Sequence, residues 1–500
     1  MLFNSLVFCL AFLPATLIGF FLAGRLAGPR AAKLWLIAAS AVFYGWWNWR
    51  YLFLLGGLTI FNFVSAVQID RYRLKSRPVA FKILFFGVAG NLAVLGFFKY
   101  TNFFLDNLSA LTGSEFNLVH IILPLGISFF TFQKIAYLVD SYHGKVDEFR
   151  FENFSLFVFF FPQLIAGPIV HHSEFIPQLR KPGFSAWNAD YLALGLGIFV
   201  IGLFKKVIVA DPCGIISDQV FAAVAKDGAP TFFEAWLGSL AYTFQIYFDF
   251  SGYTDMAVGL ALMVGLKLPE NFASPYRAGN IIEFWRRWHM TLSRFLRDYV
   301  YIPLGGNRHG EPRRNLNLML TMLLGGLWHG ANWTFVVWGG LHGLFLVVNH
   351  VWRRTVIAQN AVLSQLVVYR ACAGILTFLC VVVTWVFFRS QRFDAAYRML
   401  KGMAGMNGFA LPAGFIQALG LDPKDFGAAP LTALFRNGSE TDLWVAVLTV
   451  GFAFSIALFG RARQNLSERT LWIAVLLCAG FVIQALAVGT RTEQFIYFQF

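Results

Sequence analysis

"LFNSLVFCLAFLPATLIGFFLAG", residues 2–24, runs for more than 20 positions without a charged side chain. About 20 apolar residues are enough for a helix to cross the hydrocarbon core of a bilayer. The stretch lacks a positively charged beginning and a small-residue cleavage site. It therefore reads as a retained first membrane helix and not as a removed signal. That reading decides the fold class, because the rest of the chain has the same character.

The 500 residues are 58% hydrophobic, 18% aromatic and 13% charged, with a mean hydropathy of +0.61. Soluble domains carry about 25% charged residues. Half that fraction cannot clothe a water-facing surface, so the chain reads as an all-α integral membrane protein whose first partner is the lipid bilayer. Apolar runs fall near 2–23, 34–48, 51–68, 81–100, 118–138, 153–170, 191–210, 232–248 and 251–267. Others follow near 316–337, 338–352, 366–388, 442–460 and 471–490. Together they predict roughly 10–13 crossing or re-entrant helices. The expected organisation is a membrane core over 1–400, a less hydrophobic loop or interfacial segment over 401–441, and C-terminal membrane helices over 442–500.

The formal charge is +14. The cations gather in connectors between apolar runs, as in "RYRLKSRPVAFK" (71–82), "LFKKVIVAD" (203–211), "WRRT" (352–355) and "RARQNLSER" (461–469). Cytoplasmic loops of membrane proteins carry such cations. An anionic cofactor head group suits this placement better than DNA, so no nucleic acid is expected as a partner. Cys9, Cys213, Cys372, Cys380 and Cys478 are scattered, and no metal-ligand spacing is evident.

The most charged segment is "YRAGNIIEFWRRWHMTLSRFLRDYVYIPLGGNRHGEPRR" (276–314). Phe284, Trp285, Trp288, Leu292, Phe295 and Tyr299 recur at helical spacing on one face, with Arg287, Arg294 and Asp298 on another. The pattern predicts an amphipathic helix at a bilayer interface. Its arginines, Arg286, Arg287 and Arg294 above all, meet either lipid phosphates or the phosphates of a cofactor such as coenzyme A. Spacing does not distinguish the two.

"LLGGLWHGANW" (323–333) sets His329 inside an apolar run. Gly326 and Gly330, four apart, permit close backbone approach. An ionisable residue in a membrane segment is a functional candidate by default. A neutral imidazole is the cheapest buried group that still takes a proton near pH 7. The competing reading is a helix-packing motif with a structural histidine. "YTFQIYFDFSGYTDMAVG" (242–259) also places Gln245, Asp249, Ser251, Thr254 and Asp255 in apolar surroundings. A transporter or flippase would use Asp249 and Asp255 as a proton relay.

Five stretches in order carry a resemblance: "LPLGISFFTFQKIAYLVDSY" (123–142), "FFPQLIAGPIV" (160–170), "YFDFSGYTDMAVGLALMVG" (247–265), "ENFASPYRAGNIIEFWRRWHMTLSRFLRDYVYIPLGGNR" (270–308) and "LLGGLWHGANW" (323–333). They resemble the membrane-bound O-acyltransferase family, in its bacterial branch acting on polysaccharides, over roughly residues 1–400. The resemblance implies helices around a central tunnel in the bacterial inner membrane. It also implies acetyl-CoA as the acyl donor, His329 as the essential histidine and His289 as a second catalytic histidine. Trp328, Asn332 and Trp333, with Gly326 and Gly330, would line the substrate channel. The implied acceptor is an exopolysaccharide, alginate first, with cellulose, peptidoglycan or, more distantly, D-alanyl transfer to teichoic acid as alternatives. A periplasmic SGNH-type acetyltransferase is the implied protein partner. No metal is implied.

Overall fold

The computed structural model of the protein describes residues 1–114, 121–360, 362–409, 420, 422, 440–459, 468–488 and 495–496. Those residues are mostly helical and contain no strand. Six of the described helical stretches are long and apolar enough to cross a membrane. The chain divides into two compact units. The first comprises Met1–Leu203, Gly252–Glu270 and Ala474–Phe500, and the second Phe204–Ser251 and Asn271–Ile473.

The first unit opens with α1 (Leu13–Asn48), followed by α2 (Arg50–Arg73), α3 (Arg77–Thr112), α4 (Ile127–Tyr142), α5 (Phe151–Phe159) and α6 (Ala189–Phe204). The first two predicted spans run together in α1, which kinks at Gly28 (φ 81°, ψ 178°). Pro29 lacks an N–H and its ring clashes with the preceding turn, so a break there is expected. Helices α2 and α3 are tied by a reciprocal amide pair. Asn62 Nδ2 donates to Asn91 Oδ1 at 3.0 Å, and Asn91 Nδ2 donates back at 2.7 Å. Each buried amide satisfies the other where lipid offers no partner.

The long helix α8 (Phe232–Met263) corrects the expected division into separate spans at 232–248 and 251–267. Gly252 does not break it. A side chain at Gly202 would come within 2.6 Å of the Gly252 carbonyl oxygen, and one at Gly195 within 2.6 Å of the Gly259 carbonyl oxygen. The glycines of α6 and α8 thus let two backbones touch, as small residues do between membrane helices.

The second unit holds α7 (Asp211–Ala225), the first part of α8, the short helices α9 (Ile281–Arg287) and α10 (Met290–Leu296), α11 (Gly310–His329), α12 (Trp333–Trp352), α13 (Val367–Arg389), α14 (Phe393–Met403) and α15 (Glu440–Phe459). The last helix, α16 (Glu468–Val488), ends in the first unit. The predicted single amphipathic helix over 284–299 is in fact broken. α9 stops at Arg287, and α10 starts at Met290 after His289, whose backbone is left-handed (φ 41°, ψ 54°). Most of the less hydrophobic segment over 401–441, and the basic stretch from Arg461, lie outside the described residues.

Replacing Gly195 by Val drives a branched side chain into a backbone carbonyl that cannot step aside. Overpacking of this kind costs about 1–3 kcal/mol, read as a lower melting temperature of the solubilised protein. Gly96, in α3, has open space at the same position. Gly96→Ala is expected to be neutral or to stabilise by up to about 1 kcal/mol through helix propensity.

Candidate active site

Helices α11 and α12 form a hairpin with a three-residue turn, and His329 is the last residue of its first arm. The stretch read as one apolar segment is therefore a helix end, a turn and a helix start. Gly330 is extended (φ −158°, ψ 148°), so it does not share a helical face with Gly326. A side chain on Gly326 would collide with the Phe335 carbonyl oxygen, one on Gly339 with the Met322 carbonyl oxygen, and one on Gly330 with the Phe335 ring. These contacts bring the two arms to backbone distance and hold His329 at the seam.

The His329 ring is 4% exposed. Aromatic rings enclose it: Trp328 at 4.8 Å, Trp338 at 5.1 Å and Phe388 at 5.1 Å between centroids. Trp328 also lies 6.2 Å from the ring of His289. The two histidines singled out by sequence therefore flank one tryptophan, although they belong to separate elements.

The buried polar atoms of Asn271 hold His289 in its break. Asn271 Oδ1 accepts from Thr291 N at 3.2 Å and from Thr291 Oγ1 at 2.8 Å, and it lies 3.1 Å from His289 Nδ1. An atom that accepts from a backbone N–H is the amide oxygen, so Nδ1 carries the hydrogen and donates. That leaves the lone pair on Nε2, the nitrogen able to take a proton. Backbone bonds reinforce the break: Met290 N donates to Asn271 O, and Ala273 N to Arg287 O, both at 3.0 Å. A left-handed non-glycine residue costs of order 1–3 kcal/mol, and this network is what sustains it. The Phe250 ring closes over His289 at 4.7 Å. Burial pushes the imidazole down to about 3, because an enclosed apolar site penalises the cation.

A further buried histidine escaped the sequence reading. His342 of α12 is fully buried. Its Nε2 lies 3.0 Å from Thr384 Oγ1, whose own hydrogen goes to Val381 O at 2.7 Å. Nε2 is thus the donor, and Nδ1 keeps a lone pair with no hydrogen-bond partner among the described residues. Trp338 separates the two rings of this helix pair, 4.7 Å from His342 and 5.1 Å from His329. The signal lay in the sequence: Trp338 and His342 are four apart and share a helical face.

The remaining candidates scatter. Asn332 caps α12, accepting from Thr334 N at 3.0 Å, and its Nδ2 donates to Gln391 O at 2.8 Å. Trp333 is 51% exposed. Arg287 pairs with Glu283 at 2.5 Å, Arg286 is exposed and Arg294 is half-buried. Asp249 takes a hydrogen bond from Lys206 Nζ at 2.6 Å, and the same amine reaches Asp211 at 2.7 Å. A carboxylate locked in a buried ion triad is a poor proton relay. Among the described residues, no group of three His, Cys, Asp or Glu side chains is placed to hold a metal ion.

The model of the membrane-bound O-acyltransferase family matches residues 146–389, which contain His289, His329 and His342. A peptidoglycan O-acetyltransferase of Helicobacter pylori is 45% identical over 439 residues, covering 82% of this chain and 81% of the relative. A probable alginate O-acetylase of Pseudomonas putida is 38% identical over the full length of both chains. One from Pseudomonas aeruginosa is 43% identical, covering 81% of this chain and 75% of the relative.

Two outcomes follow from this geometry. The folded-state value of His289 lies below the 6.5 of a free imidazole, so the unfolded chain binds a proton first as pH falls. Its contribution is whole above about pH 6.5 and is lost as pH drops from there toward 3. Thermal melts across that range should show the loss, and His289→Gln should flatten the slope. Lys206→Met removes the cation shared by the Asp249 and Asp211 carboxylates and should cost about 3–5 kcal/mol. Adding Asp211→Asn and Asp249→Asn should recover most of the folded yield.

Proposed function

The chain belongs to the membrane-bound O-acyltransferase family, and from that premise we propose that it moves acetyl from acetyl-CoA toward the hydroxyl groups of a cell-envelope polysaccharide. The reaction is acyl transfer from a thioester to an oxygen. His329 takes the proton of the acceptor hydroxyl as the oxygen attacks the thioester carbonyl carbon. The carbon–sulfur bond breaks, and the departing thiolate receives the proton. One positioned imidazole contributes about 10²–10⁴-fold to such a step. Enclosure by aromatic rings keeps out water, which would otherwise take the acetyl group.

The observation that carries the reading is a neutral-site geometry built from two distant segments. His329 at the hairpin and His289 in its helix break flank Trp328, each enclosed by rings. In this reading His289, with its lone pair on Nε2, orients the acceptor or the thioester. The relatives named for alginate support an exopolysaccharide acceptor, with alginate first. The Helicobacter pylori relative, at 45% identity, favours peptidoglycan as the second reading. The proposed setting is the bacterial inner membrane, with the donor on the cytoplasmic side and a periplasmic SGNH-type partner receiving the acetyl group.

The test is polymer acetyl content in cells carrying His329→Ala, with protein abundance measured in the same membranes. Acetylation should fall by at least about 100-fold at normal abundance. Unchanged acetylation would remove the reading. Base hydrolysis of separated exopolysaccharide and peptidoglycan fractions identifies the acceptor, since only the true one loses acetate in the variant.

A further inference from the structure

A cavity of about 370 Å³ lies between α12 and α13, and His289, His329 and His342 are not among its lining residues. Its walls are mainly apolar, including Phe345, Val348, Ala373 and Leu376. Val348 is 55% exposed and Leu376 63% exposed. Both sit on helices apolar enough to cross a membrane, so the cavity's side opening meets hydrocarbon and not water.

One end of the cavity is polar, and basic residues adjoin it in sequence. Trp352 Nε1 donates to Tyr369 Oη at 3.0 Å, joining the end of α12 to the start of α13. Tryptophan and tyrosine mark the depth of lipid head groups. Arg353 follows Trp352, and Arg370 follows Tyr369. Both are exposed, and neither makes an ion pair among the described residues. Arg354 is different, because Glu311 already neutralises it. Further in, Asn349 Oδ1 is buried without a hydrogen-bond partner among the described residues. An apolar slot, an aromatic collar and two exposed, unneutralised cations each next in sequence to a collar residue match one chemistry.

We propose that this cleft binds one anionic phospholipid, with an acyl chain in the cavity and the phosphate on Arg353 and Arg370. Basic pockets between membrane helices hold anionic head groups in this way. A zwitterionic lipid would fill the slot but leave both guanidinium groups without a matching net charge. The inner wall reaches the histidine region, since the Phe345 ring lies 6.3 Å from that of His342. The site does not depend on the proposed reaction.

The test uses the full chain purified in detergent, with phosphatidylglycerol or phosphatidylcholine added, and native mass spectrometry to count retained lipid. One phosphatidylglycerol should stay bound and phosphatidylcholine should not. Arg353→Gln with Arg370→Gln should weaken retention roughly tenfold or more, and Ala373→Trp, which fills the slot, should abolish it. A second measurement needs no change in the cleft's charge or volume. Cys372 and Cys380 line the cavity, so in a Cys372→Ser background the alkylation rate of Cys380 by a small apolar maleimide reports occupancy. Phosphatidylglycerol should slow it, while phosphatidylcholine and free glycerol phosphate should not. Equal retention of both lipids, an adduct indifferent to both kinds of variant, or equal protection by glycerol phosphate alone would overturn the proposal.

Discussion

The contact of α11 with α12 at Gly326 and Gly339 is the constraint on which the candidate site rests. No side chain intervenes there, and a Cβ on either residue would enter the backbone of the other helix. In hydrocarbon, apolar side chains gain little by leaving lipid for one another, so helix association relies on packing of this closeness. The contact sets the turn at 330–332 and with it the position of His329. Trp338 then falls beside both His329 and His342.

The second constraint is the treatment of polar groups that have no water to meet. Asn271 satisfies two donors on Thr291 and orients the ring of His289 with a single oxygen. The helix break costs backbone energy, yet it turns an imidazole from a surface helix into a fully enclosed position. The same rule governs Asn62 with Asn91, and Lys206 with Asp211 and Asp249. In each case the polar atoms are matched in place, because an unmatched one would cost several kcal/mol in lipid. These three clusters are buried polar residues consumed by one another.

The transporter weighed on sequence grounds would use Asp249 in a proton relay. Asp249 looked like a titrating group in an apolar helix, but its charge is already balanced by Lys206. The two residues lie 43 positions apart, and nothing in their local patterns announces the pair. His289 and His329 differ in that aromatic rings enclose both, while Asn271 holds His289 through Nδ1.

Composition and apolar run length alone determined that the chain is a helical membrane protein, because the cost of exposing so few charges and so much hydrocarbon to water admits no other surface. Ordered motifs also placed it in its family and singled out His329 and His289. Local pattern misjudged where helices stop. The 284–299 face read as one helix, and 323–333 read as one segment, since helical spacing persists through a break whose cause is a distant partner. Asn271 makes the first break, and the glycine contacts with α12 make the second. His342 was hidden for the same reason: its neighbours along the chain are ordinary for a membrane helix, and only folding brings Thr384, Trp338 and Trp285 around it. The tertiary structure decided which polar residues meet one another, because that depends on distances across the fold that no local spacing encodes.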